Sequence, residues 1–214
     1  MSPWIDDISN AKTPLRFVLQ VSKPYRILAV SVLSMVAIAA ALDSIFPLIY
    51  KAIVDSIAAL SLGGTFSDVV FWALVFIGVM IAQLAAWRII NYLAAFWIGG
   101  ARLTGRYALT TYLLRHSHTY FENRFAGSTA NKISNAADGA KNIIQDIVFS
   151  AGPFVVGMMV SLFVAFSAGP MTGGIFLIWL AIAIPVNYSF SKKKTEYSIR
   201  AQASETILRG AAVD

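Results

Sequence analysis

The sequence predicts an all-α, polytopic membrane protein, and three observations lead to that fold class. Hydrophobic residues make up 57% of the 214 residues and charged residues only 13%, about half the share of a typical soluble domain. Long apolar segments recur along the chain, each near or beyond the roughly 20 residues that a helix needs to cross a bilayer. Basic residues cluster between these segments, as in membrane proteins whose loops are sorted by charge. The predicted spans are residues 27–49, 69–98, 147–166 and 171–190.

These four segments contain only two charged residues, Asp43 and Arg88. Because hydrocarbon offers no hydrogen-bond partner to the backbone, such segments cross the bilayer as helices. Gly152 and Pro153 in the third span indicate a kink or close helix packing. Pro185 in the fourth span indicates the same. The chain has no cysteine, which excludes disulfides and thiolate chemistry.

The basic residues indicate the orientation of the spans. Almost all of the 17 Lys and Arg residues lie before the first span, between the second and third spans, or after the fourth. The opposite side has Lys51, accompanied by Asp55 and Asp68. Since cytoplasmic loops carry the excess of Lys and Arg, we expect both ends of the chain to be cytoplasmic.

The connection between the second and third spans, residues 99–146, is predicted to be largely helical. An unstructured connection of this length would be unusual in a folded domain. Apolar residues recur at helical spacing towards the third span: Ile133, Ala137, Ala140, Ile144 and Ile147. Leu103, Tyr107 and Leu114 predict a similar face on the helix that leaves the second span. Two such helices of roughly 15 to 20 residues would reach on the order of 25 Å into the cytoplasm.

The tip of this connection, Tyr120 to Gly127, carries a resemblance to a known family. It consists of an aromatic-aromatic-acid group and a glycine, and a basic-apolar-Ser group follows at Lys132 to Asn135. This pattern resembles the transmembrane domain of ABC exporters, where it forms the first intracellular coupling helix and the start of the third span. The segment Pro47 to Asp55 and the basic, Pro-containing segment 12–26 are also similar to that family. The chain departs from the family at Ala136, where the usual residue is Asp.

The resemblance implies a domain organisation and a set of partners. Residues 1–26 are then a cytoplasmic N-terminal segment with an interfacial elbow helix, and residues 27–214 are four of the six spans of an exporter domain. The residues implied to contact a nucleotide-binding domain are Tyr120, Phe121, Glu122, Asn123, Arg124, Phe125 and Gly127. A second transporter half, identical or different, completes the pathway in a bacterial inner (plasma) membrane. Either the chain is a fragment of a longer transporter, which is the expectation we favour, or it is a subunit whose missing spans and ATPase are encoded elsewhere.

The chain lacks the phosphate-binding motif G-x-x-x-x-G-K-[ST], so we expect no ATP site within it. ATP and Mg²⁺ are expected instead at the associated nucleotide-binding domain. No catalytic residues are predicted. His116 and His118 are two residues apart and do not face one another on a helix, so they predict no metal pair.

Candidates for the lining of a substrate pathway are the polar and aromatic residues within the first two spans: Asp43, Gln83, Trp87, Arg88 and Asn91. The spacing of four residues places Gln83, Trp87 and Asn91 on one helical face, which suits either substrate contact or helix packing. Arg88 is either a counter-charge for substrate or a side chain that snorkels to the inner interface. Asp43 either lines a cavity or makes a buried structural hydrogen bond.

The function expected from these observations is ATP-driven export of a substrate that the sequence does not identify. The expected partners are the lipid bilayer, a nucleotide-binding domain, a second transporter half and the exported substrate, and not nucleic acid. Two alternatives remain open. A secondary transporter would place ionisable residues near the midplane of repeated halves. A non-transporting scaffold or assembly protein would need no coupling segment.

Overall fold

Helices account for all the regular structure in residues 8, 11, 13–115 and 126–211, which are the residues that this computed structural model describes. The main helices are α1 (Pro14–Ser22), α2 (Arg26–Asp43), α3 (Phe46–Leu60), α4 (Phe66–Leu114), α5 (Ala126–Asp146), α6 (Gly152–Ala168) and α7 (Pro170–Ala211). Four stretches are long and apolar enough to cross a membrane: Pro14–Leu60, Phe66–Leu114, Ala130–Ala168 and Pro170–Thr195. The predicted all-α fold with four spans is therefore confirmed.

Helix α1 begins at Pro14 because Thr13 caps it. The Arg16 backbone N–H donates to Thr13 Oγ1 over 3.3 Å, and proline is well suited to the first helical position because its own N–H is absent. The buried residues of this helix are Val18 and Val21. A single 3₁₀ turn, Lys23–Tyr25, then leads into α2. The N-terminal segment is thus joined to the first span without an intervening loop.

The first span consists of two helices with a turn between them. Helix α2 ends at Asp43, and α3 begins three residues later. Pro47 explains the break, because it has no backbone N–H to donate to the carbonyl of Asp43 four residues earlier. The Ser44 hydroxyl donates to the Ala40 carbonyl over 3.0 Å and so satisfies an acceptor in the last turn of α2. The break therefore lies inside the segment that the sequence predicts as one span.

The turn between α3 and α4 depends on two glycines. Gly63 has φ +92°, a left-handed conformation that residues with a side chain rarely adopt. A Cβ added to Gly64 would lie 2.8 Å from the carbonyl oxygen of Ala59. Thr65 Oγ1 then donates to Asp68 Oδ2 over 2.8 Å, and a carboxylate in the first turn also suits the helix dipole. These contacts define where α4 begins.

Helix α4 has 49 residues and at 1.5 Å per residue is about 74 Å long. Its apolar span takes up the first part, and residues 99–114 continue beyond it as one uninterrupted helix. We call residues 99–114 limb A and helix α5, which packs beside it, limb B. The helical limbs that the sequence predicts on either side of the cytoplasmic tip are therefore present.

Between α5 and α6 the residues Ile147–Ala151 form a π-helical turn. The Gly152 N–H donates to the Ile147 carbonyl five residues earlier instead of four. A Cβ added to Gly152 would lie 2.5 Å from that same carbonyl oxygen, so the turn requires glycine. Pro153 follows directly and lacks an N–H, so a regular ladder cannot pass through this point. Pro185, another predicted kink site, lies inside α7, which continues past it.

The chain divides into two units at Met158. The first contains α1 to α5 and the start of α6, and the second contains the remainder of α6 and α7. Within the second unit, a Cβ added to Gly173 would lie 2.4 Å from Phe166 Cδ1, so the two helices meet closely after their turn. Phe176 and Trp179 stack with their ring centroids 5.8 Å apart.

Candidate functional site

The residues predicted to line a pathway lie on two helices. Asp43 is the last residue of α2, and Gln83, Trp87, Arg88 and Asn91 all belong to α4. The predicted coupling residues Tyr120, Phe121, Glu122, Asn123, Arg124 and Phe125 lie outside the described residues. Gly127, the last of that group, lies in the first turn of α5. The candidate site is therefore described at the first two spans and at the two limbs.

The structure brings Asp43 and Gln83 into direct contact. Gln83 Nε2 donates a hydrogen bond to Asp43 Oδ1, which joins the end of α2 to α4. Asp43 nevertheless remains exposed, whereas Gln83 is half-buried. A carboxylate inside a span costs several kcal/mol if it faces lipid, so the exposed part of Asp43 has to meet water or another protein segment. Asp43 therefore combines a structural hydrogen bond with an accessible surface.

Three aromatic residues of α3 and α4, each three to seven residues along the chain from Asp43 or Gln83, pack together through Phe76. The ring centroids of Phe46 and Phe76 are 5.4 Å apart in an edge-to-face arrangement, and those of Tyr50 and Phe76 are 5.2 Å apart. Such pairs stabilise helix contacts by about 0.5–1.5 kcal/mol beyond the burial of their area. We call Asp43, Gln83 and these three aromatic residues the Asp43 cluster.

Asn91 does not join this cluster. Its Nδ2 donates to the carbonyl of Trp87 on its own helix over 2.7 Å. Eight residues of an α-helix leave a rotation of about 80° beyond two full turns, so Asn91 and Gln83 point in different directions. Gln83 and Trp87 are half-buried, whereas Asn91 is exposed. The spacing of four residues predicted one common face for Gln83, Trp87 and Asn91. In the structure, Asn91 points away from the direction of Gln83.

Arg88 lies near the middle of α4. The ring of Tyr25, where the first span begins, packs against Gly100, which is 12 residues beyond Arg88 and about 18 Å along the helix axis. Arg88 is exposed, and Tyr92 and Phe96 further along α4 are exposed as well, with their ring centroids 5.0 Å apart. Both alternatives for Arg88, a counter-charge for substrate and a side chain that snorkels to the inner interface, stay predictions.

The buried residues of the two limbs are mostly small, and Gly105 of limb A faces Phe17 and Val21 of α1. On limb A the buried residues are Ala101, Thr104, Gly105 and Ala108, and on limb B they are Ala137, Ala140 and Ile144. Small residues let helix backbones approach one another closely. The stripe predicted for limb B is confirmed at its three central positions, and Val148 rather than Ile147 continues it into the π-helical turn.

The face predicted for limb A is wrong, although the helix itself is present. Leu103, Tyr107 and Leu114 are 68%, 60% and 74% exposed, and the small residues of limb A are buried instead. The prediction for limb A was based on large apolar side chains. Helices that pack closely bury small residues where they meet. The small-x-x-x-small spacing of Ala101 and Gly105 is the signal that identifies the buried face.

An ion pair joins the two limbs. Arg102 Nε lies 2.6 Å from Asp138 Oδ1, and the Ser134 hydroxyl donates to Asp138 Oδ2 over 3.5 Å. Both charged side chains are about 40% exposed, so the pair contributes at most about 1 kcal/mol and mainly fixes the register of the limbs. Ala136, where the resemblance leads one to expect Asp, lines an apolar cavity of about 470 Å³ together with Phe17.

Helix α1 and the turn after it pack on the beginning of limb A. Trp97 Nε1 donates to Ser22 Oγ over 3.1 Å, and the Tyr25 hydroxyl lies 3.5 Å from Thr104 Oγ1. A Cβ added to Gly100 would come within 2.3 Å of Tyr25 Cζ. Gly100 and the two hydrogen-bonded pairs were not singled out from the sequence, because their partners are about 75 residues away in the chain. The N-terminal segment and the second span thus form one packed body.

Four apolar helices with long helical extensions define a multi-pass helical membrane protein. A comparison with protein families gives the more specific class, because the ABC transporter transmembrane region matches residues 29–208. This match covers most of the chain, and the chain therefore belongs to the family of ABC transporter transmembrane regions. The family resemblance noted at residues 120–127 is confirmed. No curated protein and no solved structure matches the chain.

Proposed function

We propose that this chain is the membrane subunit, or a part of it, of an ATP-driven exporter. The proposal rests on the observation that two packed helical limbs extend beyond the second and third spans. Limb A continues α4 for 16 residues beyond the span, which at 1.5 Å per residue is about 24 Å. A helical extension of this length lets a partner in the cytoplasm contact the limbs and transmit a movement to the spans.

The packing of the limbs supports a mechanical role. Ala101 and Ala108 on limb A, and Ala140 and Ile144 on limb B, are at most 2% exposed, and closely packed interiors have low compressibility. The Arg102 contact with limb B opposes sliding of one limb along the other. A displacement at the cytoplasmic tip therefore moves both limbs together and reaches the second and third spans.

The partner in this proposal is a nucleotide-binding domain that holds ATP and Mg²⁺, in the same or another polypeptide. Its contact is the tip formed by Tyr120 to Phe125 and Gly127. A spacing of four residues, as between Phe121 and Phe125, is one that brings two side chains to the same face wherever a segment is helical, and two aromatic anchors in a partner groove contribute several kcal/mol. A second transporter half, identical or different, completes the assembly in a bacterial inner membrane, with both ends of this chain cytoplasmic.

Transport then follows as a shift between two states of the spans. ATP binding favours the closed arrangement of the nucleotide-binding domains, and the limbs favour the outward-open arrangement of the spans when those domains close. The residues proposed to line the pathway are Asp43, Gln83, Trp87, Arg88 and Asn91. Asp43 and Arg88 are exposed in this chain and need polar surroundings in the membrane, which an aqueous pathway supplies.

The test separates ATP hydrolysis from transport in the complete transporter with its nucleotide-binding domains. The double variant Phe121→Ala, Phe125→Ala is expected to insert and bind nucleotide normally while losing most of its substrate transport per ATP hydrolysed. The matched control is Leu15→Ala, Leu19→Ala, which removes two exposed apolar residues with the same spacing from α1. Normal transport by the phenylalanine variant would reject the coupling role.

A further inference from the structure

We propose that the first span carries a binding site for one anionic phospholipid at the place where α2 begins. A groove of about 340 Å³ opens there on the surface of the helix, lined by Arg26, Ile27, Val30 and Ser31. We call it the Arg26 groove. Its occupant is a diacyl phospholipid whose phosphate meets Arg26 and whose acyl chain follows α2. The site requires only that the chain spans a membrane, so it is independent of the proposed transport function.

The Arg26 groove lies on the side of α2 that the rest of the described chain leaves uncovered. Its four lining residues are exposed, with Ile27 at 77% and Val30 at 64%. At about 3.6 residues per turn they lie on the opposite side of α2 from Val32 and Val36, which belong to the buried core. This face is therefore open to a molecule that the membrane supplies.

Arg26 places a positive charge at the end of this groove. No acidic side chain in the described part of the chain pairs with it, in contrast to Arg102, which pairs with Asp138. A guanidinium binds a phosphate through two parallel, charge-assisted hydrogen bonds. Because the apolar segment of the first span begins at Ile27, Arg26 lies where the polar headgroup region borders the hydrocarbon. A lipid phosphate is the anion that this region supplies.

Beyond Arg26 the same side of α2 offers a surface for an acyl chain. Ser34 and Ile38 are exposed there, and Ile38 lies 12 residues, or about 18 Å along the axis, beyond Arg26. The hydrocarbon of one leaflet is about 15 Å thick, half of the bilayer core, so an acyl chain of a membrane lipid covers most of this length. Ser31 lies about 7.5 Å deeper than Arg26, and its hydroxyl can donate to an ester carbonyl of the same lipid.

A helix of a second transporter half is the competing occupant of this face. Such a helix would need an acidic residue at the level of Arg26, because burying a guanidinium without a partner is costly. A lipid phosphate supplies this negative charge in any membrane that contains anionic lipid. The charge of Arg26 therefore favours the lipid.

The experiment measures lipid selectivity at the groove itself by fluorescence quenching. The complete transporter, with partner subunits free of cysteine, carries Leu33→Cys labelled with bimane, at a partly exposed position beside the groove. Nanodiscs of phosphatidylcholine with brominated acyl chains quench the fluorophore. Phosphatidylglycerol without bromine is added in one series and phosphatidylcholine without bromine in another. The relief of quenching gives the relative binding constant, which is expected to favour phosphatidylglycerol about fivefold.

The variants separate the charge from the shape of the groove. Arg26→Gln is expected to bring the relative constant to about one, because it removes the charge. Arg26→Lys is expected to keep a preference of at least about twofold, since an ammonium also binds phosphate as a point charge. Ser31→Leu fills the groove and is expected to lower the preference about twofold. The matched control is Arg106→Gln, which removes the same charge from an exposed position on limb A and is expected to keep the wild-type constant.

Equal affinity of the wild type for the two lipids overturns the proposal, as does an unchanged preference in Arg26→Gln or an equal loss in Arg106→Gln. Absence of quenching by brominated lipid at position 33 also overturns it, because another protein segment then covers the face. Loss of the preference in Arg26→Lys contradicts recognition by charge. If Arg26→Gln does not insert, Ser31→Leu decides, and an unchanged preference in that variant rejects the site.

Discussion

The ring of Tyr25 lies directly against the backbone of Gly100, so closely that a Cβ at Gly100 would come within 2.3 Å of Tyr25 Cζ. Together with the contact between the Tyr25 hydroxyl and Thr104, this packing joins the beginning of the first span to the end of the second. It fixes the register between α2 and α4. That register brings Asp43 to Gln83.

Gly100→Ala is expected to destabilise the chain by about 1–2 kcal/mol, because the added methyl group displaces Tyr25 from its place. Gly99 is the matched control, since an added Cβ there meets nothing within 4 Å. Gly99→Ala is expected to be neutral or slightly stabilising, as alanine has the better helix propensity. The measurement is the thermal unfolding midpoint in lipid nanodiscs. Equal midpoints for the two variants would contradict the packing described.

Gly152→Ala is expected to disturb the π-helical turn. The added Cβ would lie 2.5 Å from the Ile147 carbonyl oxygen, and a backbone atom cannot move away as a side chain can. We expect a loss of about 1–3 kcal/mol in the free energy of unfolding. Gly157→Ala is the control, because its added Cβ meets only Ser44 Oγ at 4.0 Å. If both variants unfold at the wild-type midpoint, the π-helical turn is not required for stability.

Arg88→Lys is expected to reduce transport several-fold while membrane insertion stays normal. This expectation follows from the proposed pathway role, in which the guanidinium of Arg88 contacts the substrate. A planar guanidinium binds in a bidentate manner at such a site, whereas a lysine ammonium is a point charge that cannot reproduce this geometry. Arg106→Lys, at an exposed position of limb A, is the control. Unchanged transport by Arg88→Lys would return Arg88 to a snorkelling role.

The orientation of the spans can be tested by single-cysteine labelling, because the chain has no cysteine of its own. Leu62 and Met171 are 90% and 79% exposed, and cysteines at these positions are expected to react with an impermeant reagent from outside intact cells. Cysteines at Asn123 and Lys193 are expected to react only after permeabilisation, since basic segments stay cytoplasmic. Labelling of position 123 in intact cells would reverse the proposed topology.

The four spans could be predicted from the sequence because hydrocarbon imposes a simple requirement on length and polarity. The helical limbs were also predictable, and so was the buried face of limb B, where Ala137, Ala140 and Ile144 recur at helical spacing. The family could be recognised from local motifs. The nucleotide-binding contact at residues 120–125 stays a prediction, since those residues lie outside the described part of the chain.

The sequence by itself therefore determined the class of this protein, the number of its spans and the presence of its limbs, since these depend on local composition and periodicity. Only the tertiary structure decided which residues meet. Gln83 contacts Asp43 because the register of α2 and α4 is set elsewhere, by Tyr25 on Gly100. The buried face of limb A follows from close backbone approach, which depends on a partner helix. Contacts between residues far apart in the chain leave no local pattern in the sequence, so the sequence could not predict them.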